Sequence, residues 1–303
     1  MLRSIALGAG VMTVSAVLAG VGNHAAADQN DLTDVCPATM RMGDTGLKGM
    51  GPLKQAFGPF ADAWKKHTGI ELKLFSLSSR TAAGNALQYD EVDLVFAGPS
   101  EFVLFRQKVD DGVEILFDIK RPYYGTTFIT KKSSDIYELA DLEGKHIALK
   151  DVGSTSGHIW PTKMMVEAGL DPETDLKVSV LGDAFTQALV NGDVAAIGGG
   201  NDDADYIRDE LDPDGQYRVI AKSDPLPGDP VLIRGELAGD CKTQLQKALK
   251  ANRDELWQAL IATERNEEKF LNRGSEMGFS LTAEDYEVIR EAYEAANIDL
   301  GSG

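Results

Sequence analysis

The stretch Asp151-Val152-Gly153-Ser154-Thr155-Ser156-Gly157-His158 places three consecutive hydroxyls between two glycines. An apolar run at 145–149 precedes it and reads as a strand. Lys163-Met164-Met165-Val166-Glu167-Ala168-Gly169 follows it and reads as a helix stopped by its glycine. Pro161 is tolerated only near a helix start, so the helix begins close to Ser156. Strand, glycine-flanked loop and helix in this order form the repeating unit of an α/β fold. The first backbone N–H groups of such a helix have no intrahelical partner, and the positive end of its dipole adds to their pull on an anion. An ordinary cap explains one hydroxyl but not three in a row. Ser154, Thr155, Ser156 and the adjacent His158 are therefore candidate contacts for a tetrahedral oxyanion, whose shape hydroxyl donors can follow.

The same alternation continues on both sides of this loop. Towards the N-terminus, 38–43, 70–75, 92–97, 115–120 and 126–130 read as strands. Leu53 to His67 is helical, with Leu53, Phe57, Phe60, Ala61 and Trp64 at three- and four-residue spacing and Gly69 as its stop. Thr81 to Gln88 is a short helix, and Gly98-Pro99-Ser100-Glu101 opens another, Phe102 to Val109, with Ser100 as its cap. Towards the C-terminus, 177–181, 194–199 and 217–221 are strands and Phe185 to Asn191 is a helix. No strand pattern follows residue 234; 243–262, 264–274 and 282–296 are helical. The prediction is an α/β protein with mainly parallel sheets, in two lobes joined by two crossings, near 120–128 and 218–232. Residues 28–122 with 230–303 make the first lobe, and 123–229 make the second.

Residues 1–27 hold one positive charge, Arg3, an apolar stretch from Ile5 to Val21 and a closing Ala25-Ala26-Ala27. This is the pattern of a secretory signal peptide cut before Asp28, and the stretch is short for a membrane span. With the leader removed, the 303-residue chain keeps the size of two domains. A formal net charge of −18 argues against nucleic acid or an anionic membrane as partner. It does not argue against a small anion. Long-range repulsion is screened within about 8 Å at physiological salt, whereas hydrogen bonds at a helix end act at contact. Two cysteines in an exported chain, Cys36 and Cys241, read as one disulfide.

Catalysis finds little support. Ser156 and His158 are too close in sequence to form a nucleophile–base pair on one helical turn, and no Gly-x-Ser-x-Gly elbow is present. No His/Asp/Glu spacing suits a metal, so neither a metal nor a cofactor is expected. The glycine-rich loop from Gly43 to Gly51 lacks the Lys-Ser/Thr ending of a P-loop; Thr45 and Gly46 are its candidates for donating backbone N–H groups. Asp202-Asp203 reads either as a solvated helix start or as a carboxylate pair beside the ligand, one of the partners then holding a proton.

These residues resemble a known family. The 151–158 string with Pro161 and Lys163-Met164, then Ala168-Gly169-Leu170-Asp171-Pro172, is similar to the phosphonate-binding periplasmic proteins of ABC transporters. Asp93-Leu94-Val95 with Gly98-Pro99, Asp141-Leu142-Glu143-Gly144-Lys145, Asn191-Gly192-Asp193-Val194 and the turn from Pro225 to Pro230 also fit. The resemblance implies a class II two-lobe binding protein of the periplasm that closes on a phosphorus oxyanion, such as phosphite or a phosphonate, and hands it to a membrane permease. Similar sequences bind arsenite and signal to a sensor kinase, which is the alternative. The resemblance further implies second-lobe contacts from Ser154, Thr155, Ser156 and His158, and a first-lobe contact from the loop at Ser100. Where many relatives carry Tyr, this chain has Phe96 and Phe102, so one expected phenol is missing, and Tyr123 or Tyr124 at the crossing is the candidate to supply it.

Overall fold

The computed structural model describes residues 31–110, 112–212, 214–237 and 239–299, so the expected leader at 1–27 lies outside the described residues. The chain runs through β1 (Thr39–Asp44), α1 (Met50–Thr68), β2 (Glu71–Leu74), α2 (Ala82–Gln88), β3 (Leu94–Phe96), α3 (Pro99–Lys108) and β4 (Val113–Lys120). It then crosses to β5 (Thr126–Lys131), β6 (His146–Leu149), α4 (Trp160–Glu167), β7 (Lys177–Val180), α5 (Phe185–Asn191), β8 (Ala196–Gly200), α6 (Asn201–Tyr206) and β9 (Tyr217–Lys222). It returns through β10 (Asp229–Arg234), α7 (Asp240–Ala251), α8 (Arg253–Leu260), α9 (Glu264–Lys269), β11 (Glu276–Gly278) and α10 (Glu287–Ala295). Two sheets result, β11-β4-β10-β3-β1-β2 and β7-β6-β8-β5-β9. The protein is a mixed α/β fold of two lobes.

Amphipathic periodicity explains the packing of α1. Leu53, Phe57, Phe60 and Trp64 are buried against the first sheet with Met40, Met42 and Phe96, and Gly69 ends the helix at φ 74°, its N–H returning to Lys65 O. Without a Cβ, glycine takes this left-handed conformation at little cost. The sheets are not mainly parallel. β1–β2, β1–β3, β6–β7 and β6–β8 are parallel, whereas β10 and β11 in the first sheet and β5 and β9 in the second pair antiparallel. The double crossing accounts for β5 and β10, which enter a lobe running against their neighbours; β9 is antiparallel because it flanks β5, and β11 because it returns along the edge of β4 after the C-terminal helices.

Two further expectations fail on short elements. A strand does follow residue 234, since Glu276–Gly278 pairs with the edge of β4; three residues are too few to show a period. Ser100 does not cap α3. Gly98 takes the cap position and Pro99 the first helical one, where its missing N–H has no partner to lose. The C-terminal helix also does more than rejoin the first lobe, because α10 packs on both α3 and α4. Tyr286 and Ile289 share one apolar cluster with Phe102 and Phe105 of the first lobe and Ile159 and Trp160 of the second.

Cys36 and Cys241 form a disulfide with their Cα atoms 4.9 Å apart, closing a separation of 205 residues at the rim of the first-lobe core. Such a crosslink contributes roughly 2–4 kcal/mol, chiefly by restricting the unfolded chain. The paired substitution Cys36→Ser/Cys241→Ser is expected to lower the free energy of unfolding by that amount in urea titrations. Unchanged stability in the double variant would count against any such role.

Candidate functional site

A cavity of about 670 Å³ lies between the lobes, at the carboxyl ends of β1, β3, β6 and β8. This is where open α/β sheets hold ligands. Ser154, Thr155, Ser156, Thr45, Gly46, Tyr124, Asp202 and Asp203 all line it. Ser100 and His158 do not.

The three cradle hydroxyls are held differently, although Thr155 and Ser156 share the Tyr124 phenol as a neighbour. After β6 the chain enters a π-helical turn, Thr155–Ile159, before α4 begins. Ser154 Oγ accepts the Gly157 N–H, so it is the cap of that turn. Thr155 Oγ1 accepts the Ser100 N–H at 3.0 Å and donates to Ser100 Oγ at 2.8 Å, and Ser100 Oγ donates onward to Gly153 O at 2.6 Å. A hydroxyl has one proton. Thr155 therefore ties the lobes together and has no proton left to donate to a ligand. Gly98 permits this approach, because a Cβ there would meet Glu101 at 2.5 Å and Thr155 Oγ1 at 3.3 Å. Ser156 lines the cavity beside the phenol of Tyr124, which hydrogen-bonds to the side chains of both Ser156 and Thr155. Its carbonyl is fixed by Thr126 Oγ1 at 2.9 Å.

Tyr124 comes from the first crossing and supplies the phenol absent at Phe96 and Phe102. Phe96 contributes ring surface to the cavity and packs on Phe57 at 4.8 Å; Phe102 is buried against Tyr286. The Arg121 guanidinium covers the Tyr124 ring at 3.9 Å. Burial pushes the Tyr124 pKa up, Asp229 adding to it and Arg121 opposing it, so the phenol keeps its proton as a donor.

The expectations for His158, Ser100, Thr45 and Gly46 change for local reasons. His158 Nδ1 accepts the Gly153 N–H at 3.3 Å, and burial lowers its pKa, so it is a neutral buttress beneath the loop. Ser100 is fully buried in the lobe contact just described. Thr45 and Gly46 reach the cavity, but their N–H groups are already committed to Phe96 O and Asp44 Oδ1. Asp203 accepts the Gly200 N–H and pairs with Lys150 at 2.7 Å. Burial nonetheless raises its pKa. That of Asp202 is lowered: burial opposes ionisation, but the charges of Arg121 and Lys150 outweigh it. The two carboxylates thus diverge.

Sequence reading missed most of the charged wall. Arg80, in the loop after β2, pairs with Glu101 at 2.6 Å and faces Asp151 of the second lobe at 3.8 Å. Arg121 and Lys269 share Asp229, at 2.9 and 3.1 Å. Burial would raise the Asp229 pKa, but the charges of Arg121 and Lys269 hold it low; burial lowers that of Lys269 despite Asp229. Arg273 binds Asp205 across the cleft, with Tyr123 Oη donating to the same carboxylate. Lys150, the residue directly after β6, and Arg80, a basic residue just ahead of α2, were readable in principle. Lys269 and Arg273 sit among charged helices with nothing local to mark them.

Two α/β lobes, two crossings and a polar cavity closed by contacts from both sides define a two-lobe periplasmic binding protein. The chain belongs to the phosphonate family of periplasmic substrate-binding proteins of ABC transporters, whose family model matches residues 51–286. It is a transport-type binding component, and the family is periplasmic. The phosphate-import protein PhnD of Mycolicibacterium smegmatis is 25% identical over 230 residues, covering 70% of this chain and 71% of that protein. PhnD1 of Prochlorococcus marinus, solved with methylphosphonate, superposes with a TM-score of 0.69 at 16% identity, covering 86% of this chain and 99% of that one. A binding component of an ABC phosphonate transporter from Pseudomonas aeruginosa gives 0.57 at 20% identity, covering 86% and 95%. No helix among the described residues is long and apolar enough to cross a membrane.

Proposed function

We propose that this protein captures a small phosphorus oxyanion, phosphite or a phosphonate, between its lobes and delivers it to an ABC permease. The observation that carries this reading is the meeting of the Ser156 and Tyr124 hydroxyls in the interlobe cavity, whose wall also holds Arg80 and Lys150. By position, the Thr155 and Ser156 amides open a helical turn without intrahelical partners and add donors to the same spot. Residues 28–122 with 230–303 act as one lobe and 123–229 as the other, the segments around 123 and 229 bending on closure. Residues 1–27 direct export and are removed. The protein binds without turnover: His158 is occupied by Gly153 and stands in no relation to Ser156 that would make the hydroxyl a nucleophile.

The sensor-kinase alternative requires arsenite, mostly uncharged at neutral pH and suited to thiolate ligands. Cys36 and Cys241 are bonded to each other and lie outside the cavity. Calorimetry is expected to give methylphosphonate or phosphite at least about 100-fold tighter than arsenite, a gap of roughly 2.7 kcal/mol. Micromolar arsenite binding with neither phosphorus compound bound would sink the transport reading.

A further inference from the structure

The cavity is far larger than an inorganic oxyanion needs. A phosphite or methylphosphonate displaces on the order of 100 Å³, a few water volumes, whereas 670 Å³ is the size of a site for an organic ligand. Closure does not remove the excess, because the lobes already meet. Ser100 is bonded to Thr155, Arg80 faces Asp151 at 3.8 Å, and Arg273 is paired with Asp205.

The chemistry of the wall narrows what fills that space. Phe96 and Ala97 are its few apolar members, so an alkyl tail would strip water from charged groups with nothing in return. Acidic side chains outnumber basic ones in the wall, eleven to seven, which disfavours a second anionic group on the ligand. The acidic excess would attract an ammonium tail, but Glu101, Asp203, Asp205, Asp209 and Asp229 are already paired with arginine or lysine, and an ammonium is poorly matched to the first-lobe wall formed by α9 and the turn after it. There Arg265, whose guanidinium donates to the Asn266 side-chain oxygen, lies with Arg273 and Asn272 beside Glu268. Donors and acceptors alternate on that surface. A hydroxyl both donates and accepts, whereas an ammonium only donates and would face guanidinium groups.

We propose, building on the oxyanion reading above, that the ligand is a phosphorus monoester or phosphonate bearing a polyhydroxylated tail. Its oxyanion sits at Ser156 and Tyr124, and its hydroxyls bond Arg265, Glu268 and Asn272. The test is calorimetry of the mature protein with glycerol 3-phosphate, inositol 1-phosphate, methylphosphonate and 2-aminoethylphosphonate. The expected result is that one of the two polyol esters binds at least about 10-fold tighter than methylphosphonate, a difference of roughly 1.4 kcal/mol. Glu268→Gln and Asn272→Ala should then weaken that ester several-fold more than methylphosphonate. Methylphosphonate or 2-aminoethylphosphonate binding as tightly as the esters overturns the proposal and leaves the phosphonate reading standing. Equal losses for ester and methylphosphonate in both variants also overturn it. Binding of none of the four overturns the proposal, and if phosphite also fails to bind the oxyanion reading falls with it.

Discussion

Replacing Asp229 by asparagine is expected to destabilise the protein by about 3–5 kcal/mol, the loss seen when one member of a buried ion pair is removed and its partner stays charged. Two cations depend on this carboxylate, Arg121 at 2.9 Å and Lys269 at 3.1 Å, and the Asp229 and Arg121 side chains are 9% and 10% exposed. The amide keeps the size of the side chain, so the change isolates charge. Because the folded-state pKa of Asp229 is lowered, its contribution is complete above the ordinary carboxylate range and is lost as pH falls through that lowered value. Urea titrations of the wild type should therefore show stability falling on acidification below about pH 4, and Asp229→Asn should lack that part of the fall. A loss under 1 kcal/mol at neutral pH would contradict this account of the wall.

Ser156→Ala is expected to weaken methylphosphonate binding roughly 10- to 150-fold, corresponding to about 1.5–3 kcal/mol for a hydrogen bond to a charged group. The fold should survive, since among the described residues the Ser156 hydroxyl bonds only to its neighbour Tyr124. The neighbouring substitutions should behave differently. Ser154 caps a turn and Thr155 joins the lobes, so their loss carries structural effects that Ser156→Ala does not. Calorimetry with circular dichroism on the same samples checks this. Unchanged affinity in a folded Ser156→Ala protein would remove the cradle from the site.

The framework was legible because it rests on local patterns. The face of α1, the stop at Gly69 and the run of strand, loop and helix around residues 145–169 are written in spacing and in glycine. Ser156 and Tyr124 could be nominated because a hydroxyl cluster and a phenol at a crossing are local features. What stayed hidden depends on partners far along the chain. Ser100 and Thr155 bond across 55 residues, Arg121 and Asp229 across 108; no window reveals such a pair. The antiparallel strands β5 and β10 escaped for the same reason, since their direction follows from where the chain changes lobe.

The most direct measurement is a crystal structure of the mature protein with methylphosphonate. The account predicts the phosphonate between the lobes, with its oxygens within about 3.2 Å of Ser156 Oγ and Tyr124 Oη. A phosphonate bound elsewhere, or in the cleft with Ser156 and Tyr124 making no contact, would contradict it.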